Sequence, residues 1–261
     1  MSFLSQDTST SQAASYQHGS EVQRWIGLRT IDLLDFEKVS TVLDLGCGTG
    51  YLTKVLSERV GPEGKVVAVD PDGERPKIAR EQYPASNIEY IQADDKTFPT
   101  GKYDLIFSNI VIHWISDKEA AYKRAYENLL PGGRFAFTTV NGVYPIPEIG
   151  KKFFNDLVGP DFLHQMRYEK MVFFNEAEYK ALGSATGFEQ ISTTVWDHYP
   201  EWKNLDDYVD SMHGWFHGEF DPAQFDKDVL QKIRREYGGG PVTQAEPISF
   251  VLVLLTKPCT K

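Results

Sequence analysis

Apolar residues in the first 140 positions fall into two alternating rhythms. Short continuous runs have strand length and many β-branched or aromatic residues: TVLDL (41–45), KVVAVD (65–70), IEYIQ (88–92), YDLIFSN (103–109) and RFAFTTV (134–140). Helices are predicted between them over 51–60, 73–82 and 117–130. The first is stopped by Gly61-Pro62 and the last by Pro131-Gly132-Gly133. Ahead of these, Val22, Trp25, Ile26, Ile31 and Leu34 recur at helical spacing and predict a helix over 21–36.

Beyond Val140 the rhythm loosens. Segment 141–175 reads as short helices and turns, 175–186 as a helix ended by Gly187, and FEQISTTVW (188–196) as a strand. Segment 197–247 loosens again, with helices predicted at 205–212 and 222–237, before ISFVLVLLTK (248–257) forms a last strand. Strands alternating with helices predict a single α/β domain. Its core is a doubly wound, seven-stranded, mostly parallel sheet with helices on both faces and right-handed crossovers. The insertions at about 141–175 and 197–247 are expected to form a mostly helical cap, and the Ser/Thr/Gln-rich residues 1–15 to be mobile.

Composition narrows the possible partners. With 41% hydrophobic and 25% charged residues in 261, the chain can bury a sizeable core. A net charge of −10 gives no overall basic footprint for duplex phosphates, so no nucleic-acid partner is expected. The longest apolar run, FVLVLL (250–255), has strand length, so no membrane span is expected. The first fifteen residues lack the basic and apolar regions of a signal peptide. Cys47 and Cys259 suit neither a disulfide nor a metal knuckle, and two free thiols point to a reducing, cytoplasmic setting. Nothing in the sequence sets an oligomeric state.

The stretch VLDLGCGTGYL (42–52) carries the chemistry. Gly46, Gly48 and Gly50 let the backbone turn sharply and approach a ligand. The first loop of such a sheet lies where strand order reverses and ligands bind. A dinucleotide fingerprint would place its third glycine at 51, which is Tyr, and Asp44 puts a carboxylate where phosphate would be disfavoured. Asp70, at the end of the second strand, is placed to meet ribose hydroxyls, and Asp94 to accept from an adenine amine beside the Asp95 backbone. The set describes an adenosine with a cationic amino-acid tail and no phosphate.

With VLDLGCGTG, VVAVD, IQADD, YDLIFSNIVIHW and LLPGGRFAFTT in this order, the chain resembles the class I S-adenosylmethionine-dependent methyltransferases over about residues 16–140. The resemblance implies a Rossmann-like methyltransferase fold and S-adenosyl-L-methionine as cofactor. It implies a cofactor site of Asp44, Gly46, Cys47, Gly48, Gly50, Asp70, Pro71, Asp94, Asp95 and Asn109. YQHGSEVQRWIG (16–27) and SNIVIHW (108–114) resemble the small-molecule branch, which includes the trans-aconitate, malonyl-carrier and juvenile hormone acid methyltransferases. In that branch Tyr16, Ser20 and Gln23 would close over the cofactor, and His113 would stand at the reacting centre.

The implied activity is O-methylation of a small carboxylate. A carboxylate needs no general base, only a cationic or donor clamp. His113, Arg167 and Lys170 are candidates, with Trp114, Trp196, Trp202 and Trp215 as further substrate contacts. His113 could instead be a packed histidine. The aromatic, acidic segment 196–220 leaves N-methylation of an amine open through cation–π attraction. A non-catalytic cofactor-binding subunit and an NAD-dependent oxidoreductase are further alternatives. His213 and His217 have helical metal-pair spacing but only Glu219 as an obvious third ligand, so no metal is expected.

Overall fold

A computed structural model describes residues 21–142, 150–152, 155–156, 159, 171–209, 231–232, 235–236, 239–243 and 246–259. Two compact units are present: Gln23–Val143, Val172–Trp196 and Phe250–Lys261 make the larger, and Met1–Val22, Tyr144–Met171 and Asp197–Ser249 the smaller.

In chain order the elements are α1 (Glu21–Asp32), β1 (Thr41–Leu45), α2 (Tyr51–Val60), β2 (Lys65–Asp70), α3 (Glu74–Gln82), β3 (Ile88–Gln92) and β4 (Tyr103–Asn109). A 3₁₀ turn (Ile112–Trp114) follows, then α4 (Lys118–Asn128), β5 (Leu129–Val140), α5 (Glu176–Thr186), β6 (Gln190–His198), β7 (Glu201–Trp202), β8 (Val242–Thr243) and β9 (Ile248–Thr256). Seven strands form one sheet in the order β3-β2-β1-β4-β5-β9-β6. β1 pairs in parallel with both β2 and β4, so the order reverses at β1 and a crevice opens beyond its carboxyl end. β9 inserts antiparallel beside β5, from Arg134↔Thr256 to Val140↔Phe250.

Strand alternation distributes the core to the two faces. Leu43, Val67, Val69, Phe135 and Phe137 pack with Tyr122, Ala125 and Tyr179 from α4 and α5. Val42, Val66, Leu105 and Ala136 pack on the other face with Ile31, Leu34 and Leu56, from α1, its C-terminal turn and α2. Helix starts follow local chemistry: Asp117 accepts from the Ala120 amide to begin α4, and Asn175 with Glu178 forms a capping box for α5. The smaller unit contains the β7–β8 ladder, with Trp202 edge-on to buried Tyr208 at 4.9 Å.

The first four strands and α2 have the bounds read from the sequence. β5 starts five residues earlier than expected and runs through Pro131-Gly132-Gly133. Leu129 pairs with Tyr103, while Gly132 and Gly133 bond to Lys257, so the turn-like segment has partners on both sides. α1 ends at Asp32 because Leu33 and Leu34 donate to the carbonyls of Thr30 and Ile31, tightening the last turn. β6 starts later than expected because Phe188 bonds back to Gly183 and closes α5. Among the described residues, no helix is long and apolar enough to cross a membrane.

Phe137 is fully buried, with Phe135, Tyr179 and Tyr122 at ring-centroid distances of 5.0, 5.3 and 5.9 Å. Phe137→Ala is expected to cost about 3–5 kcal/mol in equilibrium urea unfolding. A cost below about 1 kcal/mol would contradict this packing.

Candidate active site

The loop between β1 and α2 forms the centre of the crevice. Gly46, Gly48 and Gly50 have φ of 82°, 54° and 88°, where a side chain costs about 1–2 kcal/mol. Close packing adds to this: a Cβ on Gly46 would lie 2.3 Å from Val111, and one on Gly50 2.7 Å from Ala79. The loop is pinned from below. Gly46 and Cys47 donate to the Val69 carbonyl at 2.8 and 2.9 Å, and the Gly48 amide donates to Asp70 Oδ2 at 3.0 Å. Asp44 is buried and accepts from Thr53 Oγ1 at 2.6 Å. Burial, aided by the charge of Asp70, pushes its carboxyl up to about 7. Burial likewise pushes the Cys47 thiol up, away from the thiolate that a nucleophile would need.

The second wall follows β2 and β3. Asp70 accepts from the Gly48 and Asp72 amides and pairs with Arg75. The Pro71 carbonyl accepts from Gln92 Nε2 at 3.1 Å. Asp94 caps its own turn, with Oδ1 accepting from the Lys96 and Thr97 amides and from Thr97 Oγ1. These bonds hold its carboxyl below the usual range, whereas burial raises Asp95, whose Oδ2 is buried without a partner.

The third wall joins α1 to the end of β4. Asn109 Nδ2 donates to the Gln23 carbonyl at 2.9 Å. Asn109 Oδ1 and Gln23 Oε1 are both buried without a partner, two acceptors that a ligand's donors could satisfy. The next residue, Ile110, has φ of 57°, a costly conformation for a β-branched side chain. This turn directs the chain into Val111, against Gly46, and on to His113.

His113 is 3% exposed, stacks on Phe173 at 5.4 Å and contacts Trp114 at 5.5 Å. Its Nδ1 lies 2.9 Å from Thr139 Oγ1, and its carbonyl accepts from the Val172 amide. Burial, with the nearby charge of Lys118, lowers its pKa to about 3. The imidazole is therefore neutral at pH 7 and offers hydrogen bonding but no positive charge. Lys118 is also buried, donates to the Ile115 carbonyl at 2.8 Å, and is lowered to about 8 by desolvation.

Gln23, the glycine loop, Asp70, Asp94, Asp95, Asn109, His113 and Trp114 thus all belong to the larger unit, around the β1, β2, β3 and β4 ends. Trp196 lies on β6, separated from β4 by β5 and β9, with Arg29 5.4 Å over its ring. Trp202 belongs to the smaller unit. Tyr16, Ser20, Arg167, Lys170, Trp215, His213, His217 and Glu219 lie outside the described residues, as do residues 1–15 and most of both insertions. Sequence reasoning missed Arg75, Ile110, Lys118 and Phe173. None carries a motif, and their places depend on burial and backbone conformation.

Residues 17–193 match the model of a family described as a methyltransferase domain. The chain belongs to that family. A malonyl-[acyl-carrier protein] O-methyltransferase of Acetivibrio thermocellus is 33% identical over 130 residues, 49% of this chain and 46% of the relative. A trans-aconitate 2-methyltransferase of an Azoarcus species is 39% identical over 101 residues, 38% of this chain and 39% of the relative. The chain thus matches about half the length, or less, of these curated relatives. Among solved structures, the YcgJ protein of Bacillus subtilis superposes with a TM-score of 0.60 at 19% identity, covering 90% of this chain and 98% of that one. That likeness establishes the fold: the doubly wound, mostly parallel seven-stranded sheet of the family.

Two predictions follow from the loop and from His113. Gly46→Ala is expected to destabilise the protein by at least about 1–2 kcal/mol in thermal unfolding, and Val111→Ala in that background to recover part of the loss. No recovery would show that Val111 does not crowd Gly46. A histidine with a folded pKa near 3 and an ordinary value near 6.5 contributes stability that is complete above 6.5 and is lost as pH falls toward 3. His113→Gln should therefore flatten the fall of Tm between pH 6.5 and 4, and an unchanged slope would mean that the imidazole is not buried.

Proposed function

We propose that this protein is an S-adenosylmethionine-dependent methyltransferase that methylates a carboxylate oxygen of a small molecule. The observation that carries the cofactor reading is the pair of buried carboxylates, Asp44 and Asp70, beneath a loop of left-handed glycines. An anionic pyrophosphate would meet the carboxyl of Asp44 there, whereas a cationic ligand is favoured, and Asp70, paired with Arg75, is left to the ribose. The residues present fit such a ligand. Asp70 has acceptor capacity for ribose hydroxyls beyond its two amide bonds, Asp94 and Asp95 supply acceptors on the adenine side, and the unpartnered oxygens of Gln23 and Asn109 suit an ammonium.

When bound, the cofactor supplies an electrophilic methyl group on a sulfonium leaving group. The protein's part is to hold the nucleophile in line and exclude water. A carboxylate is already ionised at pH 7 and needs no proton removed. An amine would need a base, and an imidazole with a pKa near 3 is too weak to take a proton from an ammonium. His113 therefore orients the substrate by a hydrogen bond, braced by Thr139 and Phe173. The two relatives named for malonyl and trans-aconitate substrates, both carboxylates, support the same reading. A single domain with a substrate-selecting cap is part of the proposal. So is a cytoplasmic setting, supported by the free thiols of Cys47 and Cys259.

The test is methyl-labelled S-adenosylmethionine with separate pools of small carboxylic acids and amines. Label is expected in a base-labile ester from the acid pool, with His113→Ala lowering turnover more than cofactor affinity. Label in the amine pool would overturn the carboxylate reading, and cofactor binding without transfer to either pool would favour a non-catalytic subunit.

A further inference from the structure

The turn from β2 into α3 holds a charge arrangement that the glycine loop alone does not explain. Arg75 is the second residue of α3, yet only 10% of its side chain is exposed. A cation in the first turn of a helix opposes the helix dipole, and arginine is almost never covered unless paired. Both costs are offset by two acids. Arg75 Nη1 lies 3.8 Å from Asp70 Oδ2, and Nε lies 3.4 Å from Asp72 Oδ2. Asp72 is itself fixed: its amide donates to Asp70 Oδ1 at 3.1 Å, its Oδ1 accepts from the Glu74 amide, and its carbonyl accepts from the Arg75 amide at 3.0 Å. Asp70, Asp72 and Arg75 therefore form one cluster, and Asp70 joins it to the Gly48 amide.

We propose that Arg75 is a positioning residue of the cofactor site, clamping Asp70 as an ionised carboxylate docked on the Gly48 amide and so able to accept both hydroxyls of a ribose. This rests on the function proposed above. The charged and titratable groups facing Asp70 are Arg75, Asp72, Asp44 and the Cys47 thiol. Among the described residues, Arg75 is the cation of this group. Burial pushes Asp70 toward its protonated form, and the guanidinium is the strongest influence opposing this. Without Arg75, Asp70 takes up a proton more readily, and a protonated carboxyl has one acceptor oxygen fewer for the ribose.

The test is calorimetric binding of S-adenosylhomocysteine between pH 6.5 and 9 by wild type, Arg75→Met and Arg75→Lys. Loss of the guanidinium lets burial push Asp70 further toward its protonated form, and affinity is expected to fall about 10-fold. Arg75→Met is expected to show that loss at pH 7 and to regain affinity as pH rises, whereas Arg75→Lys, which keeps a charge, binds more tightly than Arg75→Met at pH 7. Should Arg75→Met lack a cooperative thermal transition, Arg75→Gln carries the same expectation. Wild-type affinity in the neutral variant, or a loss that is equal at every pH and shared by Arg75→Lys, would overturn the proposal. Wild-type protein that binds no S-adenosylhomocysteine would instead overturn the function proposed above, and this inference with it.

Discussion

The bond from the Gly48 amide to the buried Asp70 carboxylate joins the end of β2 to the loop leaving β1, and the rest of the site is built around it. It requires the two strands to be parallel neighbours in register, which the ladder from Thr41↔Lys65 to Leu45↔Val69 supplies. It requires backbone that can turn without side chains, which Gly46, Gly48 and Gly50 supply. It also requires a carboxylate to remain out of water, which Arg75 and two amides make tolerable. Asp44, supported by Thr53 and by no cation among the described residues, shows the alternative: its carboxyl is pushed to about 7.

The opposite wall depends on strain and packing in place of charge. Ile110 adopts a left-handed backbone directly after β4, and its neighbours occupy the crevice floor: Asn109 against α1, Val111 against Gly46. Such conformations persist where the surroundings over-determine them. Here the Ile110 amide is fixed to the Thr138 carbonyl, and His113 is held by Thr139 and Phe173. The β2–β3 side thus carries acids, and the β4 side carries the buried amide oxygens of Gln23 and Asn109 and the neutral imidazole of His113.

Much of this was legible in the sequence because the signals were local. The apolar runs of β1, β2, β3 and β4 are bracketed by turn residues, so their bounds could be read directly, and the spacing of Asp44, the glycines and Asp70 marked one crevice. What was not legible depended on distant partners or on the conformation of a turn. Pro131-Gly132-Gly133 reads as a turn, but Lys257, more than a hundred residues later, draws it into β5. His113 reads equally as a clamp or as packing, and nothing near it in the sequence shows that Phe173, sixty residues on, stacks against its ring. Arg75 has its acids close in sequence, Asp70 and Asp72, but only the backbone turn between the second strand and the third helix brings them onto its guanidinium. Asp94 offers a free acceptor on paper, whereas Lys96 and Thr97 already engage one of its oxygens.

The central claim is that this crevice is built for a cationic adenosyl ligand without phosphate. Side-by-side calorimetry of the unmodified protein with S-adenosylmethionine and with NAD tests it most directly. The account predicts saturable, one-to-one binding of S-adenosylmethionine and much weaker binding of NAD. Tighter binding of NAD would contradict it, since a pyrophosphate would then be accepted above the buried carboxyl of Asp44.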